Sequence, residues 1–570
     1  MVIRINAVPG QLMSKVPPDI GFVSSRRGFL KRGLGLGIGG LVAGCGRTVI
    51  GGSVGQGAGS SPTNPTDPTK PTDPTTPVDP TKPPDPPKPP DPTTPPDPTT
   101  PPEPPKTVDT QPVPSGSPDQ VTTTVTSNVV GVLDSTFVGF SFEKSELVTR
   151  ILSTANPATL PLFTGLGPRI MRFGGSAVDR VVWVPDGDHK IPAQLIKDDI
   201  NALATFVKRS GWRVIYGINL AKNDEAKAAD EAVYVANALG NSLDCFALGN
   251  EPASFDRTEY APPAGYSTWN YDAYKNKWIT LRNAIVQRVP NARFSGADAT
   301  GGSVDSYTVP FARDIGASRL NLLTQHHYRL SSTDTRTLAS LLTFPDPRLG
   351  LILSKVKTAA DNLGVPFRIT EANSAVQGGA DGVSNVFGSA LWALQNIFTV
   401  ALGGASGLHF HFGGLAKYAP FNFASADPTQ INPLYYGLLF SSMAGAGNLL
   451  QTTITPAQQG LFAYTIDTSG GKSVMFINIE SRSFKVDLKL PAPAATITAI
   501  YLNVNLQAAI KEAGWDGDPL TARTATRIQN GEVKIGPGFV GMETAYIVES
   551  RGDKATVYVP PKTAVLVKAS

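Results

Sequence analysis

Two glutamates stand where a reacting bond could be held between them. Glu251 lies in Phe246-Ala247-Leu248-Gly249-Asn250-Glu251-Pro252, directly after a short apolar run. Glu371 closes a second such run, Pro366-Phe367-Arg368-Ile369-Thr370-Glu371. Two carboxyl groups at strand ends suit acid–base and nucleophilic work, one protonating a leaving oxygen while the other attacks carbon. Glycoside hydrolysis is a reaction that needs this pair, and at a separation of roughly 5–5.5 Å it proceeds with retention. A close pair also drives the two proton affinities apart, so that one carboxyl donates and the other stays ionised.

Such a pair must be carried by elements that converge. Eight β-rich runs (138–142, 169–173, 213–219, 244–248, 293–296, 322–326, 366–370 and 407–410) alternate with amphipathic stretches at 193–209, 225–239, 271–289, 348–362 and 384–402. Alternation of this kind implies a parallel sheet, and eight units fit a (β/α)8 TIM barrel. Active sites of that fold sit at the C-terminal strand ends. The residues found there are Glu143, Gly174-Gly175-Ser176, Asn219, Asn250-Glu251, Asp298, His326-His327-Tyr328, Glu371 and His409 with His411. Glu251 and Glu371 fall on strands four and seven, nearly opposite across the barrel mouth.

The barrel is predicted over 136–448. From about Leu450 the pattern becomes short strands between turns (461–467, 473–479, 484–490, 496–502, 532–535, 545–549 and 563–568), which predicts a β-sandwich over 449–570. The β-rich segment 121–135 is expected to join the sandwich.

The first part of the chain reads as an address and a spacer. Ser25-Arg26-Arg27-Gly28-Phe29-Leu30-Lys31 has the form of a twin-arginine export signal. The apolar run after it is too short to span a bilayer and ends Leu41-Val42-Ala43-Gly44-Cys45, a bacterial lipobox. Residues 1–44 are therefore read as a signal removed on export. Cys45 is the lipidated residue, anchoring the protein to the cell envelope on the periplasmic or surface side. The alternative is a plain secretory signal with an incidental cysteine. Residues 45–120 carry Asp-Pro-Thr and Pro-Pro-Asp repeats, in which proline removes donors and fixes φ. At about 3.1 Å per residue this stalk would reach on the order of 100 Å.

Composition narrows the partners. A net charge of +4 over 570 residues offers no electrostatic case for nucleic acid or a membrane surface. Membrane contact is expected only through the anchor at Cys45. Cys45 and Cys245 sit in different contexts and are not paired. Cys245 lies within a predicted strand and reads as a buried apolar residue, as does Trp212. Trp269, in a loop rich in Tyr, Pro and Gly, either stacks on a leaving group or packs. Gly174-Gly175 lacks the spacing of a phosphate loop. His326-His327 and His409-x-His411 admit a metal-site reading, set below their reading as hydrogen-bonding groups of a sugar pocket.

Four ordered motifs resemble a known family: Phe137-Val138-Gly139-Phe140-Ser141-Phe142-Glu143, Met171-Arg172-Phe173-Gly174-Gly175-Ser176, Leu248-Gly249-Asn250-Glu251-Pro252, and Glu371-Ala372-Asn373-Ser374 followed by Gly378-Gly379. Together they are similar to glycoside hydrolase family 79, the β-glucuronidase and heparanase family of retaining barrel glycosidases. The resemblance implies Glu251 as acid/base and Glu371 as nucleophile. It implies Asn250 on the sugar 2-hydroxyl, Tyr328 and Arg172 supporting the nucleophile, and Glu143 and Ser176 at the distal hydroxyls. Gly378 and Tyr418 are placed at the glucuronate carboxylate, with His327 in support. No cofactor or metal is implied, and the partner is a β-linked glycoside or glycan. One departure concerns the sugar. Glucuronate-binding members usually carry a second tyrosine a few residues after the nucleophile, where this chain has Val376, which has no donor. Backbone N–H groups of 377–379, Lys417 or His411 are the available substitutes, and a neutral or 4-O-methylated sugar becomes an alternative. The rival from another class is a surface lipoprotein that binds glycans without cutting them. Retention of both glutamates argues against it.

Overall fold

The structure, a computed structural model, describes residues 109–570 apart from 189–190, 192, 256–265 and 425–426. The export signal, Cys45 and the proline repeats lie outside the described residues.

Eight parallel strands close into a barrel: β1 (Val138–Glu143), β2 (Ile170–Gly174), β3 (Arg213–Ile218), β4 (Leu243–Leu248), β5 (Phe294–Ala299), β6 (Leu322–Leu330), β7 (Phe367–Ala375) and β8 (Leu408–Phe412). Pairing of β8 with β1 completes the ring. Every strand read from apolar runs is present. β6 and β7 run past their predicted ends, remaining paired as far as Leu330 and Ala375. The extension escaped the apolar pattern because its residues include His327, Glu371 and Asn373, polar groups buried in the barrel mouth.

The surrounding helices are α1 (Lys197–Ser210), α2 (Glu225–Leu239), α3 (Tyr271–Arg288), α4 (Val309–Ile315), α5 (Pro347–Leu363), α6 (Phe387–Leu402) and α7 (Pro433–Ala444). Their starts follow capping chemistry. Asp224 accepts from Lys227 N at α2, and Asp346 accepts from Arg348 N and Leu349 N at α5. The predicted helix at 193–209 begins later than read, because Gln194–Leu195 pairs with Val182–Trp183. Most of α6 is buried on all sides, as expected of a helix held between two layers. Its Phe398 stacks on Tyr464 of the C-terminal region at 4.4 Å, and the Tyr464 hydroxyl donates to Gln395 Oε1 at 2.6 Å. Trp212 is core, stacked on Phe140, and burial pushes the Cys245 thiol far up.

The C-terminal strands form an 11-stranded hydrogen-bonded sheet around its own core, which includes Val125, Phe476, Val486, Tyr501 and Val567. The strand Asp119–Leu133 lies inside this sheet, antiparallel to Gly447–Thr455 and parallel to Phe484–Lys489. The predicted strand at 532–535 pairs instead with Gly538–Val540 in a separate hairpin. Lys554–Val559 is a further strand whose alternating Ala555, Val557 and Val559 face the core.

Candidate active site

The C-terminal mouth of the barrel holds a cavity of about 900 Å³. Glu143, Ser176, Asn250, Glu251, His327, Tyr328, Glu371, Gly378 and Tyr418 all line it. Arg172 stands behind them, fully buried. All the catalytic and sugar-binding residues expected from the sequence lie in the described part, and Cys45 does not.

Arg172, in the middle of β2, is the hub. Its Nη1 donates to Glu371 Oε2 at 3.0 Å and to Ser141 Oγ at 3.0 Å, and its Nη2 donates to Asn250 Oδ1 at 2.7 Å. Nε lies 3.4 Å from Asp298 Oδ1. One planar guanidinium thus fixes groups from β1, β4, β5 and β7 relative to each other. Because Asn250 accepts from Arg172 through its oxygen, its amide N–H groups are left to donate elsewhere. Asp179 sets the Asn250 backbone by accepting from Asn250 N at 2.9 Å and from Leu220 N and Ala221 N at 2.9 and 3.1 Å. Burial pushes the Asp179 carboxyl up to about 6 against these bonds. Gly174-Gly175 finds its reason here. A side chain on Gly174 would collide with the Arg172 guanidinium, and one on Gly175, at φ +61°, with the Glu143 carboxylate.

Glu371 is buried and surrounded by cations and donors. Tyr328 donates to its Oε1 at 3.0 Å, and His411 Nδ1 and His326 Nδ1 lie 3.7 and 3.9 Å from its Oε2. Burial alone would raise its proton affinity. The charges of His411, His326 and Arg172 and the Tyr328 hydroxyl outweigh burial and hold the carboxyl at about 2. Glu251 is more open, at 27% side-chain exposure against 8% for Glu371. It sits just past β4 in the left-handed region at φ +48°, its N–H bonded to Asp298 O at 2.9 Å. His326 Nδ1 is 3.0 Å from Glu251 Oε1, and its Nε2 is 3.4 Å from Asp298 Oδ1. One oxygen of Glu251, one of Glu371 and a nitrogen of His326 lie within 4.8 Å of one another.

That trio is the one group of described residues with ligand spacing for a metal. The neighbourhood disfavours a dication there, since the buried guanidinium of Arg172 already donates to Glu371 and places a permanent positive charge beside the trio. Burial notwithstanding, Glu371, Asp298 and Glu251 lift His326 to about 9. The four paired histidines do not converge. His409 faces the barrel interior beside Arg368 Nη1 at 2.9 Å, and His327 bonds Asp346 Oδ2 at 2.9 Å.

The sequence places Asp298 at a strand end, and His326 reads as a hydrogen-bonding group of a sugar pocket, set above a metal site. Their roles as the brace behind Glu251 depend on contacts between strands, which spacing does not encode. Burial would raise the Asp298 carboxyl, yet Arg172, His326 and Thr370 hold it at about 2. These shifts carry a stability signature. Glu371 and Asp298, ordinarily near 4.5 and 3.8, stabilise the fold above those values and lose the contribution as pH falls through about 2. His326, ordinarily near 6.5, contributes fully below that value and loses its contribution as pH rises through about 9. Melting temperature is therefore expected to fall between pH 6.5 and 9 in the native chain and to fall less in His326→Gln. Equal slopes for both proteins over that range would show that His326 is not charged in the fold.

At the other end of the cavity, Glu143 Oε1 is 3.6 Å from His411 Nε2 and Glu143 Oε2 accepts from Ala177 N at 2.6 Å. Ser176 follows on the loop after β2. The Tyr418 ring stands 6.2 Å from that of Tyr328, with Gly378 and Val376 beside it on the cavity wall. Lys417 turns away to Asp381, at 3.4 Å, whereas His411 faces the cavity. Trp269 packs: its Nε1 donates to Pro252 O at 2.8 Å and its ring stacks on Phe255 at 5.4 Å.

The fold is a (β/α)8 barrel with an appended β-domain, an architecture it shares with solved glycosidases. Among solved structures, a 4-O-α-L-rhamnosyl-β-D-glucuronidase from Fusarium oxysporum superimposes with a TM-score of 0.64 at 21% identity, over 79% of this chain and 100% of that one. An arabinofuranosidase of glycoside hydrolase family 51 from Xanthomonas axonopodis does so at 0.56 and 12%, with coverage of 79% and 100%. Particular relatives appear in sequence. The chain is 26% identical over 358 residues to a β-glucuronidase of Aspergillus niger, covering 54% of this chain and 65% of that protein. It is 25% identical over 252 residues to a β-glucuronidase of Neurospora crassa, covering 40% and 45%. The matched part thus spans less than two thirds of each relative's length. No protein-family model matches the chain. The matches support the resemblance to glycoside hydrolase family 79 read from the motifs.

Proposed function

We propose that the protein is a retaining β-glycosidase whose substrate is a β-glucuronide. The observation that carries this reading is the carboxylate pair, with oxygens of Glu251 and Glu371 within 4.8 Å. Retaining enzymes space their carboxyl groups by about 5–5.5 Å, whereas inverting enzymes need about 6.5–9.5 Å to admit water between. The similarity to two β-glucuronidases supports the sugar.

Glu371, ionised and backed by Arg172, attacks the anomeric carbon as the bond to the leaving oxygen breaks. Glu251 gives its proton to that oxygen, and the sugar remains as an ester on Glu371. Glu251, now a carboxylate, takes a proton from water as the water oxygen attacks the same carbon. Glu371 departs, and the freed sugar keeps its β configuration. Asn250 donates to the 2-hydroxyl, a bond that tightens as charge builds on the ring. Glu143 and Ser176 take the distal hydroxyls. The Tyr418 hydroxyl and Gly378 N–H receive the glucuronate carboxylate. No step draws on a cofactor.

Val376 on the cavity wall favours a second reading, a neutral or 4-O-methylated sugar, because it supplies no donor where a carboxylate would rest. A panel of p-nitrophenyl β-glycosides (glucuronide, glucoside, galactoside, xyloside) decides between them, with proton NMR of the first product. Release from the glucuronide with the β-anomer appearing first is the expected result. Release from a neutral glycoside alone would remove the glucuronate assignment and keep the mechanism. An α-anomer first would remove retention. Silence on the whole panel, with binding to a glycan array, would favour the glycan-binding lipoprotein.

The same proposal places the protein outside the cytoplasm, lipid-anchored through Cys45, on the strength of the twin-arginine and lipobox patterns. Cys45→Ala should move it from the membrane fraction to the soluble exported fraction. An unchanged distribution would remove the anchor.

A further inference from the structure

The catalytic cavity extends well beyond the space between the two glutamates, and its extension has a composition of its own. Glu143, Ser176, Gly378 and Tyr418 come from segments after β1, β2, β7 and β8 and gather on one side of the pair. On the arc that follows β4 in the barrel order, the wall comes from the turn Gly301–Ser303 after β5 and from α5 after β6. Arg348, Leu351, Ile352 and Lys355 face the cavity from α5 at helical spacing, so they form one stripe. Asp346 fixes the start of this helix. It caps α5 with one carboxylate oxygen and binds His327 of β6 with the other at 2.9 Å.

The chemistry of the stripe is specific. Leu351 is 57% exposed, an apolar side chain left uncovered at the cavity. Both cations beside it are already paired. Arg348 Nη2 reaches Asp334 Oδ2 at 2.8 Å, and Lys355 Nζ reaches both Asp305 oxygens at 2.7 Å. The wall therefore has no surplus charge to hold an anion, while its paired groups retain polar edges. Beside the stripe, where Gly301 lies against Ile352, Gly302 presents bare backbone, with only Thr300 Oγ1 near the place a Cβ would occupy. An apolar patch framed by compensated charges and open backbone suits a ring with a C–H face and a hydroxyl rim.

We propose that this extension is the leaving-group subsite and that it selects a neutral sugar, with Leu351 as the residue that sets the preference. The inference rests on the glycosidase reading, because the acid/base must stand on the side of the departing oxygen, and Glu251 follows β4, whose barrel neighbours β5 and β6 lead into this wall. In a double displacement the emptied leaving-group subsite is the place where water or an acceptor alcohol then enters. A neutral acceptor sugar bound against Leu351 should intercept the glycosyl ester and receive the sugar in place of water.

The test uses the aryl glycoside that the protein cleaves fastest and measures the ratio of transfer to hydrolysis, from p-nitrophenol release against free sugar. Methyl β-glucoside and methyl β-glucuronide serve as neutral and anionic acceptors. Transfer to the neutral acceptor is expected to exceed transfer to the anionic one. Leu351→Asp should lower the neutral transfer ratio about tenfold, and Leu351→Met should restore most of it. Equal ratios in Leu351→Asp and the native chain, a preference for the anionic acceptor, or no transfer to either would overturn the subsite while leaving the glycosidase reading intact. Failure of the native chain to cleave any aryl glycoside would overturn both. As Leu351 is exposed on a well-capped helix, Leu351→Met separates loss of the subsite from loss of the fold.

Discussion

Glu371→Gln should abolish turnover of every glycoside the native protein accepts, by about 10⁴- to 10⁶-fold, the scale on which removal of a nucleophile is felt. The amide keeps shape and volume but cannot form the glycosyl ester. The fold should survive, since the one carbonyl oxygen of glutamine can still accept from Arg172 while its amide N–H donates to the Tyr328 hydroxyl oxygen, in place of the two bonds of 3.0 Å that the native carboxylate accepts. Glu251→Ala provides the contrast. General acid assistance contributes about 10²- to 10⁴-fold, and an activated p-nitrophenolate leaves with little need of a proton. First-step cleavage of the aryl glycoside should therefore suffer less in Glu251→Ala than that of an alkyl glycoside. In Glu371→Gln both should vanish alike. Losses that do not depend on the leaving group in Glu251→Ala would exchange or cancel the two assignments.

Arg172→Met should cost both activity and stability. The guanidinium is fully buried, touches Glu371 and Asp298, and is the permanent cation among the charges behind the nucleophile. Methionine fills much of the space and removes the charge. Leaving buried carboxylates uncompensated costs about 3–5 kcal/mol, part of which the protein recovers by protonating one of them. Protonation would fall on the nucleophile or on Asp298, so kcat/KM should drop by orders of magnitude. Its acidic limb should move upward in pH, because the Glu371 carboxyl is no longer held at about 2. A chemical denaturation curve and a pH profile separate the two effects. A stable variant with an unmoved acidic limb would show that His326 and His411 suffice to keep Glu371 ionised.

Much of this architecture was legible in particular residues. The apolar runs ending in Glu143, Asn250-Glu251 and Glu371 marked strands whose ends carry chemistry. What escaped was the extension of β6 and β7 through buried polar residues, because a polar residue inside a barrel mouth looks the same in sequence as one in a loop. The run 532–535 reads as a sandwich strand, whereas Glu532–Lys534 pairs with Gly538–Val540, because strand propensity says nothing about the partner.

By itself, then, the sequence determined the number and order of the barrel strands, the two glutamates at their ends, and a donorless side chain at Val376. All of these are written in local pattern and residue type. Only the tertiary structure decided that Arg172 gathers groups from four strands and that His326 rather than His409 meets the acid/base. It also decided that Lys417 leaves the cavity for Asp381 and that α5 turns Leu351 toward it. These are contacts between residues far apart in the chain. Their distances, and the charge states that follow from them, exist only once the barrel closes and burial removes the water that would otherwise screen each group from the next.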